Sequence, residues 1–302
     1  MGQIVRVSVL LGVLTGCAHR DGAPTGSDTD ADSDTDVDTS TPDTVDTATL
    51  SCPVPYQPAP SPRNCSVRWT YDAYDDGRID STELWVYGPH PEPIYRGFDW
   101  DADGVDDQSV VMTYDDQDRL LTAANDYDND GVVDALQTMT YDETGLVLVV
   151  QEDPYGNVVR IDVTSGPCGM TSLTYDDGDD GTVDGRIRIT YTRTSMTTET
   201  DWAPVDGVFD DVSVQEYDEA TGRPTHFEED WDPGHPGPES LSDTLYDAVQ
   251  GYRTRVHQQY WDGSLLRPSD YVYGQDADGR EDSEVYTDDT FVAVRRADWA
   301  CP

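Results

Sequence analysis

Between residues 66 and 298 the chain alternates short runs of Val, Thr, Tyr and Ile with tight clusters of Asp and Gly. The runs include 109–114, 135–141, 146–151, 158–164, 186–192 and 252–260. Their length and their β-branched and aromatic content predict strands. No segment carries apolar residues at helical spacing with the caps a helix needs. The polar breaks are of two kinds. One is an acidic loop holding a central glycine. The other is a tight turn opened by Tyr-Asp, as in Tyr141-Asp142-Glu143-Thr144-Gly145, Tyr217-Asp218-Glu219-Ala220-Thr221-Gly222 and Tyr246-Asp247-Ala248-Val249-Gln250-Gly251. Asp and Gly are the residues such hairpin turns demand. Aligned on the loop glycines, Gly77, Gly104 and Gly131 recur at intervals of 27, and Gly181 and Gly207 at 26. Each unit therefore reads as strand, acidic loop, strand, Tyr-Asp turn, with loops along one edge and turns along the other. The expected fold is all-β: a repetitive antiparallel meander or ribbon of hairpin units, with a small β-propeller as the structural alternative.

The Tyr-Asp-x-x-Gly rhythm resembles the YD repeats of the RHS family, which coil into a long antiparallel ribbon. The resemblance is one of spacing across residues 66–298, without the family's full signature. The acidic loops are similar to those of thrombospondin type 3 repeats and integrin-type propellers.

The most complete acidic loop is 126–134. Asp126, Asp128, Asp130 and Asp134 stand at positions 1, 3, 5 and 9, with Gly131 at position 6. This spacing aims alternate carboxylates at one centre, and the Val132 carbonyl at position 7 joins them. A hard cation that takes 6–8 oxygens finds roughly five protein ligands there, so calcium is expected. The loop 99–107 repeats the set with Asp99, Asp101, Asp103, Asp107, Gly104 and the Val105 carbonyl. Neither is an EF-hand, because position 12 is Val110 in one and Gln137 in the other. Three degenerate copies are candidates too: Asp72, Asp76 and Asp80 with Tyr74 at position 3; Asp176, Asp180 and Asp184 with Gly178 there; and Asp276, Asp278 and Asp282 with Gly274 at position 1. The competing reading of all five is a solvated Asp-Gly turn with no ion. Trp100 and Tyr127, at position 2, are expected to point away from the carboxylates and pack on the hairpin stem.

Charge sharpens this picture. The 302 residues carry 62 acidic and 18 basic side chains, a formal charge of −44. That excess argues against nucleic acid or an anionic lipid surface as partner. It also sets up self-repulsion that bound counter-ions would relieve. Every basic residue is arginine, which removes Schiff-base chemistry and the phosphate-loop lysine.

Residues 1–17 read as an export signal: Arg6, the apolar run 7–14, then Gly16 before Cys17. Leu14-Thr15-Gly16-Cys17 resembles the lipobox of bacterial lipoproteins, which implies a diacylated Cys17 and a membrane anchor. Ala18 rather than Asp follows, so the resemblance implies the outer membrane or cell surface. Residues 18–51, dominated by Asp and Thr, read as a disordered tether. The folded region is then 52–302. Cys52, Cys65, Cys168 and Cys301 predict two disulfides in an exported chain, with Cys52–Cys65 and Cys168–Cys301 the expected pairing.

No nucleophile elbow is present around Ser264, and His90, His226, His235 and His257 lack metal-ligand spacing. The sequence therefore predicts a lipid-anchored, calcium-binding β-repeat protein with a structural or interaction role, not an enzyme, whose protein or glycan partner is unidentified. The alternative is a carbohydrate-binding or sugar-active module scaffolded by calcium; a glycoside hydrolase would need only two carboxylates.

Overall fold

A computed structural model describes residues 52–54, 62–231, 238–247, 253–261, 266–278, 280–288, 290 and 292–302. The expected signal peptide with Cys17, the tether, Ser264 and His235 lie outside these residues. Residues 52–302 form one compact unit.

The described strands are all antiparallel to their neighbours. The first six are β1 (Ser66–Asp72), β2 (Ser81–Tyr87), β3 (Pro93–Asp99), β4 (Gln108–Tyr114), β5 (Leu120–Asp126) and β6 (Ala135–Asp142). Next come β7 (Gly145–Glu152), β8 (Val158–Gly166), β9 (Gly169–Asp177), β10 (Gly185–Tyr191), β11 (Ser195–Trp202) and β12 (Asp211–Tyr217). The last are β13 (Pro224–Asp230), β14 (Ser240–Tyr246), β15 (Arg253–Trp261), β16 (Leu266–Gln275), β17 (Glu281–Thr287) and β18 (Val292–Ala300). Each pairs with its sequence neighbours, and β1 also pairs with β18. The sheet therefore closes into an 18-stranded up-and-down barrel. The expected open ribbon and the propeller are both corrected by this ring. The all-β antiparallel expectation holds, and the strand segments read from composition match their observed bounds within about two residues. Closure escapes the sequence because it depends on one pairing between residues over 220 positions apart, such as Val67 with Trp299. That pairing satisfies two edges that would otherwise stay open.

The strand period of two sorts side chains onto two faces. The inward face carries Val67, Trp69, Met112, Ala123, Met139, Val149, Ile161, Leu173, Ile187 and Ile189, all buried. The outward face is mixed: it exposes Val111, Leu136, Leu245 and Val272 among charged pairs. It carries Arg160 paired to Asp162 at 2.7 Å, Arg188 paired to Glu199, and Arg255 paired to Asp270 at 2.8 Å. Burying each large apolar side chain contributes about 1.5–3 kcal/mol before chain entropy is charged against it. A compact aromatic group gathers at the seam, where Val67, Trp69 and Tyr87 pack with Tyr71, Trp85, Ala297 and Trp299.

Two disulfides fix the fold, and their pairing differs from the expected one. Cys65, one residue before β1, bonds Cys301, one residue after β18. Cys52 bonds Cys168 in the β8–β9 turn. Sequence proximity favoured Cys52–Cys65, but barrel closure brings the two ends of the strand array together, and the Cα atoms of Cys65 and Cys301 lie 4.3 Å apart.

Candidate metal centres

The barrel sorts its connections by end. Acidic loops follow the odd strands β1, β3, β5, β9 and β11, while Tyr-Asp turns follow even strands such as β6, β12 and β14. Four of the acidic loops share one construction. The position-1 carboxylate accepts the backbone N–H groups of positions 5 and 6. Asp126 accepts from Asp130 at 3.2 Å and Gly131 at 2.9 Å. Asp99, Asp72 and Asp176 do the same with Asp103 and Gly104, Asp76 and Gly77, and Asp180 and Gly181. The position-9 carboxylate accepts the N–H of position 2: Asp134 from Tyr127 at 2.6 Å, Asp107 from Trp100 at 2.7 Å, Asp80 from Ala73 and Asp184 from Asp177, both at 2.8 Å. The position-5 carboxylate accepts the N–H of position 7, which for Asp103 and Asp130 is that of Val105 and Val132.

Two residues per loop must turn left-handed for this to close. Gly104 has φ +93° and Gly131 +87°, while Ala102 and Asn129 at position 4 stand at +57° and +52°. The positive φ is the reason glycine recurs at position 6.

Convergence of side chains separates the complete loops from the degenerate ones. Asp99, Asp101 and Asp107 place one carboxylate oxygen each within 4.8 Å of one another, and so do Asp126, Asp128 and Asp130. In both groups the first aspartate is buried and the others are exposed. Three such oxygens at this spacing repel by between about 1 and about 3 kcal/mol per pair, depending on screening. A divalent cation reverses the sign of that interaction, and hard oxygen donors suit it. These two clusters can hold a metal ion. Asp103 stands outside the first group and Asp134 outside the second. The side chains of Val105 and Val132 are exposed, with their carbonyls on the same loops.

Among the described residues, the loops 72–80 and 176–184 gather no third carboxylate. Their position 3 is Tyr74 or Gly178, so the oxygen that would complete the set is missing. Their hydrogen bonds still favour the ionised form. Burial works to raise the Asp72 carboxyl, but the N–H groups of Gly77, Asp76 and Tyr74 outweigh it and hold it below the ordinary range. The Thr182 hydroxyl and N–H hold Asp180 low in the same way.

The stretch 274–282 sits elsewhere. It forms the β16–β17 turn, at the end of the barrel opposite the acidic loops. Asp276 accepts the N–H groups of Asp278 and Arg280, and the Arg280 guanidinium pairs with both Asp276 and Asp278, at 2.7 and 2.8 Å. Asp282 accepts from the Ser283 hydroxyl. Asp115 and Arg119 build the same turn between β4 and β5. An arginine supplies the positive charge here, where the acidic loops present only carboxylates.

The acidic loop around Gly207, 201–210, carries one inserted residue relative to the nine-residue frame. Asp201 accepts the Gly207 N–H at 2.8 Å, and Asp210 accepts the Trp202 N–H at 2.7 Å. Asp201 is buried, and its Oδ1 has no hydrogen-bond partner among the described residues. The signals that reveal it are Asp-Trp at 201–202 and Gly207 at the repeat interval. The described histidines each lie within hydrogen-bonding distance of a carboxylate: His90 of Asp118, His226 of Asp243 and Glu228, and His257 of Asp270.

Compared with known proteins, the chain matches no family model and no curated protein. Among solved structures it is similar to a porin-like protein from Bacteroides uniformis, at 13% identity and TM-score 0.42, over 80% of this chain and 100% of that one. It is also similar to the TcdB2-TccC3-Cdc42 structure, at 11% identity and TM-score 0.30, over 70% of this chain and 14% of that one. The TcdB2-TccC3-TEV structure scores 0.28 at 11% identity, over 72% of this chain and 15% of that one. Likenesses at these scores do not bear on function.

Proposed function

We propose that this protein is a lipid-anchored, extracytoplasmic calcium-binding β-barrel with a structural or interaction role, and not an enzyme. The observation that carries the calcium reading is the pair of convergent clusters, Asp99–Asp101–Asp107 and Asp126–Asp128–Asp130. Calcium at each neutralises a loop and stiffens one end of the barrel, so ion binding adds directly to folding stability. The two loops are already joined, because the Asn129 side-chain amide donates to the Asp106 carbonyl at 2.6 Å. Filling one therefore bears on the other.

Anchorage rests on the lipobox-like Leu14-Thr15-Gly16-Cys17, with residues 18–51 as the tether. Two disulfides fit an oxidising compartment. A barrel fold is compatible with an outer-membrane or surface location. The ion-paired outward strand faces favour a water-facing barrel held at a membrane over one that spans it, since a spanning barrel turns an apolar band to lipid.

Calcium titration followed by melting temperature tests the reading. Millimolar calcium, the range in which extracellular modules bind (~10⁻⁴–10⁻³ M), raises the melting temperature beyond sodium chloride of equal ionic strength. The combined variant Asp101→Asn, Asp128→Asn removes the excess. Equal effects of the two salts would mean simple charge screening and would sink the proposal.

A further inference from the structure

Between the loops 72–80 and 99–107 the barrel mouth holds a cavity of about 480 Å³, a size usual for small-molecule sites. We infer that this cavity, walled by Tyr71, Phe98 and Trp100 and floored by Glu83 and Arg96, is a binding site for a neutral saccharide. The inference stands on strands β1–β3 and on Trp100 in the loop 99–107, whose N–H reaches Asp107 with no ion present.

The aromatic wall is open and oriented. Phe98 and Trp100 stack with ring centroids 5.4 Å apart and an interplanar angle of 12°. Trp100 is 60% exposed, although it is among the largest apolar side chains in the protein. Its backbone is fixed by the hydrogen bond from its N–H to Asp107. A flat, positioned, solvent-facing ring offers its face to the C–H side of a sugar ring.

The floor alternates donors and acceptors, as a polyol requires. Glu83 is buried, and its two oxygens bind Arg96 at 2.7 Å and Arg295 at 2.9 Å. Each carboxylate oxygen keeps a further lone pair that can accept from a hydroxyl. The Arg96 guanidinium lines the cavity and carries five N–H donors, one of which binds Glu83 at 2.7 Å. Ser81 and Thr82 add hydroxyls at the rim.

Other ligand classes fit less well. An anion meets an arginine already neutralised by Glu83, two bordering acidic loops and a formal charge of −44. A cation meets the Arg96 and Arg295 guanidinium groups already bound to Glu83, and Arg96 also lies over the Trp85 and Phe98 rings at 4.5 and 5.2 Å, so like charge opposes it. A purely apolar ligand would bury that ion pair without giving it a partner. A neutral molecule with a C–H face and several hydroxyls satisfies every wall.

The experiment uses the folded, calcium-loaded protein and neutral tetrasaccharides of β-1,4-linked glucose, xylose, mannose and N-acetylglucosamine, titrated by calorimetry. At least one binds with a dissociation constant below about 1 mM, and Trp100→Ala weakens it about tenfold or more. Trp100→Phe keeps a ring face and stays within about threefold of the parent, whereas Trp100→Leu, apolar but without that face, behaves like the alanine variant. The leucine and phenylalanine pair decides the matter should the alanine variant melt early. Trp231→Ala, in a different loop, leaves binding unchanged. The inference is overturned if no neutral tetrasaccharide binds, if Trp100→Leu binds as tightly as Trp100→Phe, or if glucuronate oligomers or choline bind more tightly than every neutral sugar.

Discussion

Position 4 of the acidic loops is where a single residue type is most exposed to backbone cost. Asn129, Asp75 and Asp179 take the left-handed conformation there at modest cost, because their short polar side chains tolerate it. Ala102 takes it at φ +57° with nothing to offset the strain. Ala102→Asn should therefore raise stability by about 0.5–1 kcal/mol, read as a higher urea midpoint with unchanged slope. No gain would mean the strain is absorbed elsewhere in the loop. His226 offers a second residue-level effect. The Glu228 carboxylate, against the opposing effect of burial and with help from Asp243, raises the imidazole above its ordinary value. A raised folded value means the stabilisation is complete below the unfolded value of about 6.5 and fades as pH rises through the folded one. Both acids are largely exposed, at 47% and 62%, which limits the effect to about 1 kcal/mol or less. His226→Gln should thus lower the melting temperature near pH ~6 and leave it nearly unchanged near pH ~8.5.

At the level of elements, the Tyr-Asp turn explains why tyrosine ends so many even strands. Its hydroxyl reaches sideways to the first carbonyl of the preceding strand: Tyr114 to Pro93, Tyr141 to Leu120 and Tyr246 to Pro224, all at 2.9 Å. The following aspartate caps the turn, as Asp142 does for the Thr144 N–H and hydroxyl. One residue thus holds its own strand end to its neighbour, and the pair repeats around the rim. Tyr141→Phe keeps the ring, over which Arg119 lies at 4.6 Å, and deletes only the hydroxyl. It should cost about 1 kcal/mol in urea unfolding. A loss of a few tenths would mean that water replaces the hydroxyl. Strand, loop and turn were all legible in the sequence because each is local: period-two runs, glycine at a fixed offset, Asp after Tyr. The loops 72–80 and 176–184 resemble the two convergent ones in sequence because carboxylates at positions 1, 5 and 9 build the same hydrogen-bonded loop whether or not position 3 adds a further oxygen. In the loop 201–210 the repeat interval marks Gly207, but one insertion breaks the nine-residue frame of carboxylates while leaving the end-to-end hydrogen bonds intact. The cavity at the barrel mouth draws on three strands and Trp100 of one loop, and no one-dimensional pattern marks it.

For the whole molecule the decisive event is closure, and its energetics set the last prediction. Eighteen short strands pair only with their neighbours, so without the β1–β18 pairing the sheet has two bare edges. Bringing those edges together confines almost the entire chain, while the seam itself sets Arg68 opposite Asp298. Cys65–Cys301 spans 236 residues of sequence and lies at that seam, where Ser66 faces Ala300 in register. In the chain-entropy account a loop of this length contributes on the order of 5 kcal/mol by restricting the unfolded state. Cys52–Cys168 spans 116 residues and, by the logarithm, contributes almost as much. The two differ in location, because only the first holds the seam. Replacing Cys65 and Cys301 by serine should lower unfolding stability by about 2–5 kcal/mol and should also speed hydrogen exchange first in β1 and β18. Replacing Cys52 and Cys168 should give a comparable equilibrium loss while β1 and β18 stay protected. Equal protection of β1 and β18 in both variants would mean that strand pairing alone holds the barrel shut, with both disulfides acting only on the unfolded chain.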